Sequence, residues 1–140
     1  MPTARPFISQ VTVRASARRV YDAFVDPVSQ ARWYTNDARM DLKVGGRCQF
    51  EWNDRRQFYD EFWSIAELKT GLSLRFGWEN FGRFGGLHAR IVATFHPIGR
   101  SQMRLSLRHT VVRDPEGKAM EYKARWRERL QVLKELVESR

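Results

Sequence analysis

Hydrophobic and polar positions change period three times along this chain. Val11, Val13 and Ala15 alternate with Thr12 and Arg14, which predicts a strand over residues 8–15. Ala17, Val20, Ala23 and Phe24 then recur at helical spacing behind Ser16, whose hydroxyl suits an N-cap. Pro27 has no N–H to donate and disfavours helical geometry at Asp26, so that helix stops there, and residues 28–33 read as a second short helix. From Met40 the period is two. Cys48, Phe50 and Trp52 alternate with Arg47, Gln49 and Glu51 after a turn at Gly45-Gly46. Residues 58–68 form a long strand with mixed faces. Leu72, Leu74, Phe76 and Trp78 share one face of the next strand. Ala89, Ile91, Ala93 and Phe95 share a face of the following one, which Pro97-Ile98-Gly99 turns. Met103, Leu105, Leu107, His109 and Val111 line the last strand, with Arg104, Ser106 and Arg108 opposite. The pattern is a one-sided antiparallel meander. Asp114-Pro115 opens a final helix, with the aspartate as cap and the proline at the first helical position. Ala119, Tyr122, Trp126, Leu130, Leu133 and Val137 form its apolar stripe. That stripe needs a partner, and the inner face of the meander is the only large apolar surface on offer. A long helix laid across a curved sheet leaves a space, and what fills it is the functional question.

At 140 residues the chain reads as one domain, residues 1–140, with a sizeable core. Aromatic residues make up 13%, including five Trp and nine Phe, enough for a bulky core or the wall of a pocket. The single cysteine, Cys48, makes no internal disulfide, and no apolar run suits a signal peptide or a bilayer span, so a cytoplasmic protein without membrane insertion is expected. The net charge of +9 is carried mostly by arginine, as pairs (Arg18-Arg19, Arg55-Arg56) and at alternate strand positions (Arg104, Arg108). Such charge fits an acidic partner or a plain solvated surface. No RNA-recognition signature, zinc-finger spacing or helix-turn-helix pattern is present, so nucleic acid is not expected as a partner.

The order of strand, two short helices, meander and long C-terminal helix resembles the START/Bet v 1-like (SRPBCC) superfamily. Several motifs sharpen this to the bacterial branch similar to activators of the heat-shock-protein-90 ATPase. They are Val13-Arg14-Ala15-Ser16 with Val20-Tyr21-Asp22-Ala23-Phe24, Asp26-Pro27 ahead of Trp33, and Asp41-Leu42-Lys43-Val44-Gly45-Gly46 entering a strand. Leu74-Arg75-Phe76-Gly77-Trp78 and Trp126 followed by Leu130 and Leu133 complete the set, which covers about residues 8–138. The resemblance implies an α+β helix-grip fold: a curved seven-stranded antiparallel sheet wrapped around the long helix, with a cavity between them. It also implies hydrophobic ligands of lipid, flavonoid or polyketide type, and in some members cyclase or hydrolase activity. Two departures stand near the implied cavity entrance: the glycine- and aromatic-rich segment 81–86, and Arg125, where relatives often carry glycine.

Trp33, Phe50, Trp52, Phe76, Trp78, Tyr122 and Trp126, with Ile91 and Leu107, are the residues expected to line a ligand pocket; the same side chains would otherwise fill a core. His109 sits at an inward position and could orient a ligand or move a proton, or could be a hydrogen-bonded core histidine. Of Asp60 and Glu61, one points inward on a regular strand, and Asp60 stands with His109 as a candidate acid or base. His88 and His96 take the outward parity. The segment 80–86 lacks the Lys-Ser/Thr ending of a phosphate loop and reads as a mobile connection over the cavity mouth. No metal-ligand spacing and no cofactor motif is seen. The residues favour binding of a small hydrophobic or aromatic ligand over the alternatives of a cyclase- or hydrolase-like enzyme and of a protein-partner or chaperone-regulating module. Pairing into a homodimer through a sheet edge or a helix is compatible with all three.

Overall fold

The computed structural model describes residues 6–54 and 57–139; the pair Arg55-Arg56 lies outside them. The chain runs β1 (Phe7–Val13), α1 (Ala17–Val25), α2 (Pro27–Trp33), β2 (Asp37–Arg39), β3 (Arg47–Asp54), β4 (Gln57–Lys69), β5 (Ser73–Asn80), β6 (His88–Pro97), β7 (Met103–Arg113) and α3 (Ala119–Glu138). The strands form one curved antiparallel sheet in the order β1-β7-β6-β5-β4-β3-β2. Each strand from β2 to β7 therefore lies beside the next in sequence, and β1 joins at the far edge beside β7. The three helices cover the inner face, giving the α+β helix-grip architecture.

Local chemistry explains the element ends. The Ser16 hydroxyl accepts from the Arg19 N–H at 3.2 Å and starts α1. The Asp26 carboxylate accepts from the Ser29 N–H at 3.1 Å, so the residue that ends α1 also caps α2. Gly45 takes φ +83°, and a Cβ on Gly46 would sit 2.0 Å from the Asp41 carbonyl oxygen; the turn into β3 needs both glycines.

Two elements depart from the sequence pattern. Leu72 does not share the inner face with Leu74, Phe76 and Trp78: β5 begins at Ser73, and Leu72 lies exposed in the preceding turn. Asp114-Pro115 does not begin α3, which starts at Ala119. Gly117 turns the chain at φ +67°, and the Asp114 carboxylate reaches across that turn to accept from the N–H groups of Lys118 (2.6 Å) and Ala119 (3.0 Å). The aspartate caps the helix from farther away than the spacing implies.

The core lies between the sheet and α3. Tyr122, Trp126, Leu130, Leu133 and Val137 of α3 are all buried, as are Leu74, Phe76 and Trp78 of β5 and Ala89, Ile91, Ala93 and Phe95 of β6. Each fully buried Leu, Ile, Val or Phe side chain contributes roughly 1.5–3 kcal/mol.

Candidate functional site

The two halves of α3 are held differently. Its C-terminal half is tied to the first elements of the chain by polar groups. Lys134 Nζ donates to the Thr12 carbonyl at 2.8 Å and to Glu138 at 2.7 Å, and Glu138 accepts from the Arg14 N–H at 2.8 Å. Arg19 donates to the Val137 carbonyl at 3.1 Å. The N-terminal half rests on rings. Trp126 stacks on Tyr34 with centroids 5.1 Å apart, and Tyr122 meets Trp78 edge-on at 4.8 Å.

Beneath that half lies a buried polar chain. Glu61 points inward from β4. Its carboxylate accepts from the Trp63 indole N–H at 2.9 Å and from the Tyr34 hydroxyl. The Tyr34 oxygen accepts in turn from the Trp78 indole N–H at 2.9 Å. Burial pushes the Glu61 carboxyl up to about 8; the hydrogen bonds from Tyr34 and Trp63 and the nearby Arg125 charge offset this only in part. At neutral pH Glu61 is thus mostly the neutral acid, a group able to donate a proton in an apolar surrounding. Burial, followed by the charge of Glu61, also raises Tyr34 well above the ordinary tyrosine value.

His109 enters the same region from β7. Its Nδ1 is 2.9 Å from the Tyr122 hydroxyl, and its ring stacks on Phe7 at 4.6 Å. Burial lowers its pKa to about 3, so the imidazole is neutral. Its Nε2 has no protein partner, and neither do the Trp52 indole nitrogen and the Arg125 Nε, all buried. The Arg125 guanidinium lies 4.0 Å from the Trp52 ring centroid, so the residue found in place of the expected glycine covers an interior indole. Gln30 Oε1, Asn80 Nδ2 and Arg129 Nε are likewise buried without a hydrogen-bond partner, and what distinguishes the atoms of His109, Trp52 and Arg125 is their setting among the rings around Glu61.

The structure buries every side chain that the sequence assigns to a pocket: Trp33, Phe50, Trp52, Phe76, Trp78, Ile91, Leu107, His109, Tyr122 and Trp126. Several of them pack closely on Trp63, which lies 4.2 Å from Phe76 and 4.4 Å from Phe50. Three hollows of about 630, 650 and 300 Å³ open elsewhere: on the outer face of the sheet, beside α1 and α2, and at the β3–β4 end next to Trp52 and Tyr59. Asp60 is not beside His109. It projects from the outer face and accepts from the Gln49 side chain at 3.3 Å, so the inward carboxylate is Glu61. Arg75 likewise faces outward. The segment 81–86 is fixed to the body of the protein. The Asn80 side-chain oxygen accepts from the Gly82 and Phe84 N–H groups, and the buried Phe84 ring packs 5.5 Å from Trp78.

Sequence reasoning misses Tyr34, Trp63 and Phe84, and leaves Glu61 undecided. Phe62 and Trp63 offer an aromatic to each face of β4, so alternation alone does not set its phase. Among the described residues, no group of three His, Cys, Asp or Glu could hold a metal ion, and no helix is long and apolar enough to cross a membrane.

Comparison with known proteins agrees with this architecture. The structure is similar to that of CV1439 from Chromobacterium violaceum (TM-score 0.78, 23% identity, 96% of this chain and 98% of that one). It is similar to DynU16, a protein in the dynemicin biosynthetic locus (TM-score 0.77, 20% identity, 95% of this chain); this chain spans only 47% of DynU16. It is also similar to the Aha1 dimer from Colwellia psychrerythraea (TM-score 0.73, 17% identity, 96% of each chain). At these identities the likeness concerns the fold. No curated protein matches the chain. The family model for activator of Hsp90 ATPase homolog 1-like proteins matches residues 14–138, nearly the whole sequence, and the chain belongs to that family.

Proposed function

We propose that this protein binds a small, largely aromatic or hydrophobic molecule between the sheet and the N-terminal half of α3. The observation that carries the reading is the group of unpaired polar atoms on His109, Trp52 and Arg125 beside the neutral acid of Glu61, set in an aromatic interior. A ligand with one or two hydroxyl or carbonyl groups would complete these bonds. Its apolar body would replace a ring that swings aside. Trp52 is the outermost candidate, since it is stacked on Tyr59 and borders the 300 Å³ hollow. A few hundred Å² of apolar surface transferred at about 25 cal/mol per Å² supplies several kcal/mol, enough to offset the rearrangement and reach roughly micromolar affinity. The DynU16 relative, belonging to a biosynthetic locus, supports a ligand of secondary-metabolite type.

The test is a titration with a panel of flavonoids, polyketides and fatty acids, followed by tryptophan fluorescence. The reading expects saturable quenching by at least one class, weakened in Trp52→Ala or His109→Gln. Silence across the panel would remove it.

Glu61 also favours a second reading, an enzyme in which the neutral carboxyl protonates the bound molecule. Turnover of a bound ligand that survives Glu61→Gln unchanged would eliminate that role. Pairing of two copies is a companion proposal prompted by the Colwellia relative, and analytical ultracentrifugation decides it.

A further inference from the structure

The outer face of the sheet carries a feature that the interior reading does not use. Gly77 of β5 lies beside Arg90 of β6, which pairs with Thr110 of β7. One row along, Arg75 of β5 and Arg108 of β7 flank Val92 of β6. With strands about 4.8 Å apart, Arg75 and Arg108 stand roughly 10 Å from each other across Val92, and Arg90 completes a triangle. Gly77 has no side chain, and its β4 neighbours Ser64 and Ala66 are short, so the triangle encloses a trough of about 630 Å³. Its floor is apolar (Val92, Ala66 and the Gly77 backbone) and its rim is cationic, with His88 at one end.

Neutralisation of this charge is incomplete. Arg75 is paired with Glu67 at 3.2 Å, but Arg90 and Arg108 meet no carboxylate within ion-pair distance among the described residues. Glu79, opposite His88 in the next row, is the other acid on this stretch of the face. Like charges held close on a rigid sheet repel one another, and a bound anion relieves that cost. Guanidinium groups match phosphate by paired N–H donors, and the trough has the volume of a small-molecule site rather than of a protein interface.

We propose that this outer trough binds a small molecule carrying a phosphate group on a flat apolar body, with Arg90 and Arg108 gripping the phosphate and the body lying over Gly77 and Val92. The site is separate from the interior, so either can fail without the other.

The test uses the full chain and ¹⁵N NMR with three probes: 1-naphthyl phosphate, 1-naphthol and inorganic phosphate. The aryl phosphate should shift the Gly77, Arg90 and Thr110 amides saturably while the five inward-facing tryptophan indoles stay in place. Arg90→Gln with Arg108→Gln should weaken it at least about tenfold. Gly77→Val keeps every charge but fills the trough, and should weaken it at least about fivefold. The Gly77 backbone tolerates a side chain, since an added Cβ meets nothing closer than His88 Nε2 at 3.6 Å. Equal shifts from 1-naphthol, equal binding of inorganic phosphate, or affinity indifferent to both the arginine and the glycine variants would overturn the proposal.

Discussion

The two halves of α3 show how one helix serves two purposes. From Leu130 to Val137 it presents aliphatic side chains to the core and ties itself through Lys134 and Glu138 to β1, with Arg19 of α1 bonded to its last turn. From Ala119 to Trp126 it presents two large rings to a bed of rings, with a buried acid, a neutral histidine and unpaired nitrogens among them. The first arrangement ties its charged groups to backbone atoms and to one another. The second leaves hydrogen-bonding capacity unused in a low-dielectric surrounding, a costly state for a region that served the fold alone. The difference assigns structure to one end of the helix and, in the proposed reading, binding to the other.

The strongest way to break this contrast is to damage the clamped end. Leu133→Ala should cost about 2–5 kcal/mol, read by denaturant unfolding, while leaving the affinity of the remaining folded protein for an interior ligand unchanged. A matching loss of affinity would mean that the two ends are not distinct.

Next in size is the pH dependence of stability. Glu61 titrates at about 8 when folded against about 4.5 unfolded, so the folded state holds the extra proton and stability falls as pH rises from 4.5 towards 8. His109 titrates at about 3 folded against 6.5 unfolded, so its contribution is complete above 6.5 and is lost as pH falls towards 3. The two slopes oppose each other between pH 4.5 and 6.5 and leave stability nearly flat there. Urea unfolding across pH 3–9 should show this plateau with a decline on both sides. Glu61→Gln should remove the alkaline decline, and His109→Gln should reduce the acid one, leaving the part due to Glu138, whose carboxyl is held down to about 2 by its hydrogen bonds from Lys134 and the Arg14 N–H. An unaltered profile in either variant would deny that residue its buried, shifted state.

Smaller effects sharpen the comparison. Glu138→Gln loosens the clamp and should cost less than about 1 kcal/mol, since Glu138 is an ion-pair partner near the surface. Arg125→Ala should barely change stability, but it removes both the cover over Trp52 and the positive charge that favours ionised Glu61. The Glu61 pKa should then rise further, and a ligand should associate faster in stopped-flow fluorescence. Slower association would reverse the part given to Arg125.

Much of the fold was legible in the chain. Cys48, Phe50 and Trp52 announce their face because charged or polar residues separate them, and His109 shares the parity of Leu105 and Leu107. Ser16 marks a helix start because its short polar side chain satisfies a free N–H group, and Asp26-Pro27 marks where that helix ends. The site was less legible. Polarity does not tell Glu61 from Asp60, and the burial of Glu61 depends on Tyr34 from the end of α2 and Trp63 from its own strand, a pairing no local pattern encodes. The phase of β4 is further obscured by the register shift between Ile65 and Glu67. Alternation finds the ring faces, but it does not reveal that the rings meet.

The most direct measurement of the central claim follows the five tryptophan indole N–H signals by ¹⁵N NMR during titration with 1-naphthol, an apolar ring bearing one hydroxyl. The account predicts that the Trp52, Trp63 and Trp78 signals shift together and saturate, while Trp33, bonded to the Ala23 carbonyl at 3.0 Å, hardly moves. Five stationary signals up to the solubility limit of the probe would contradict it.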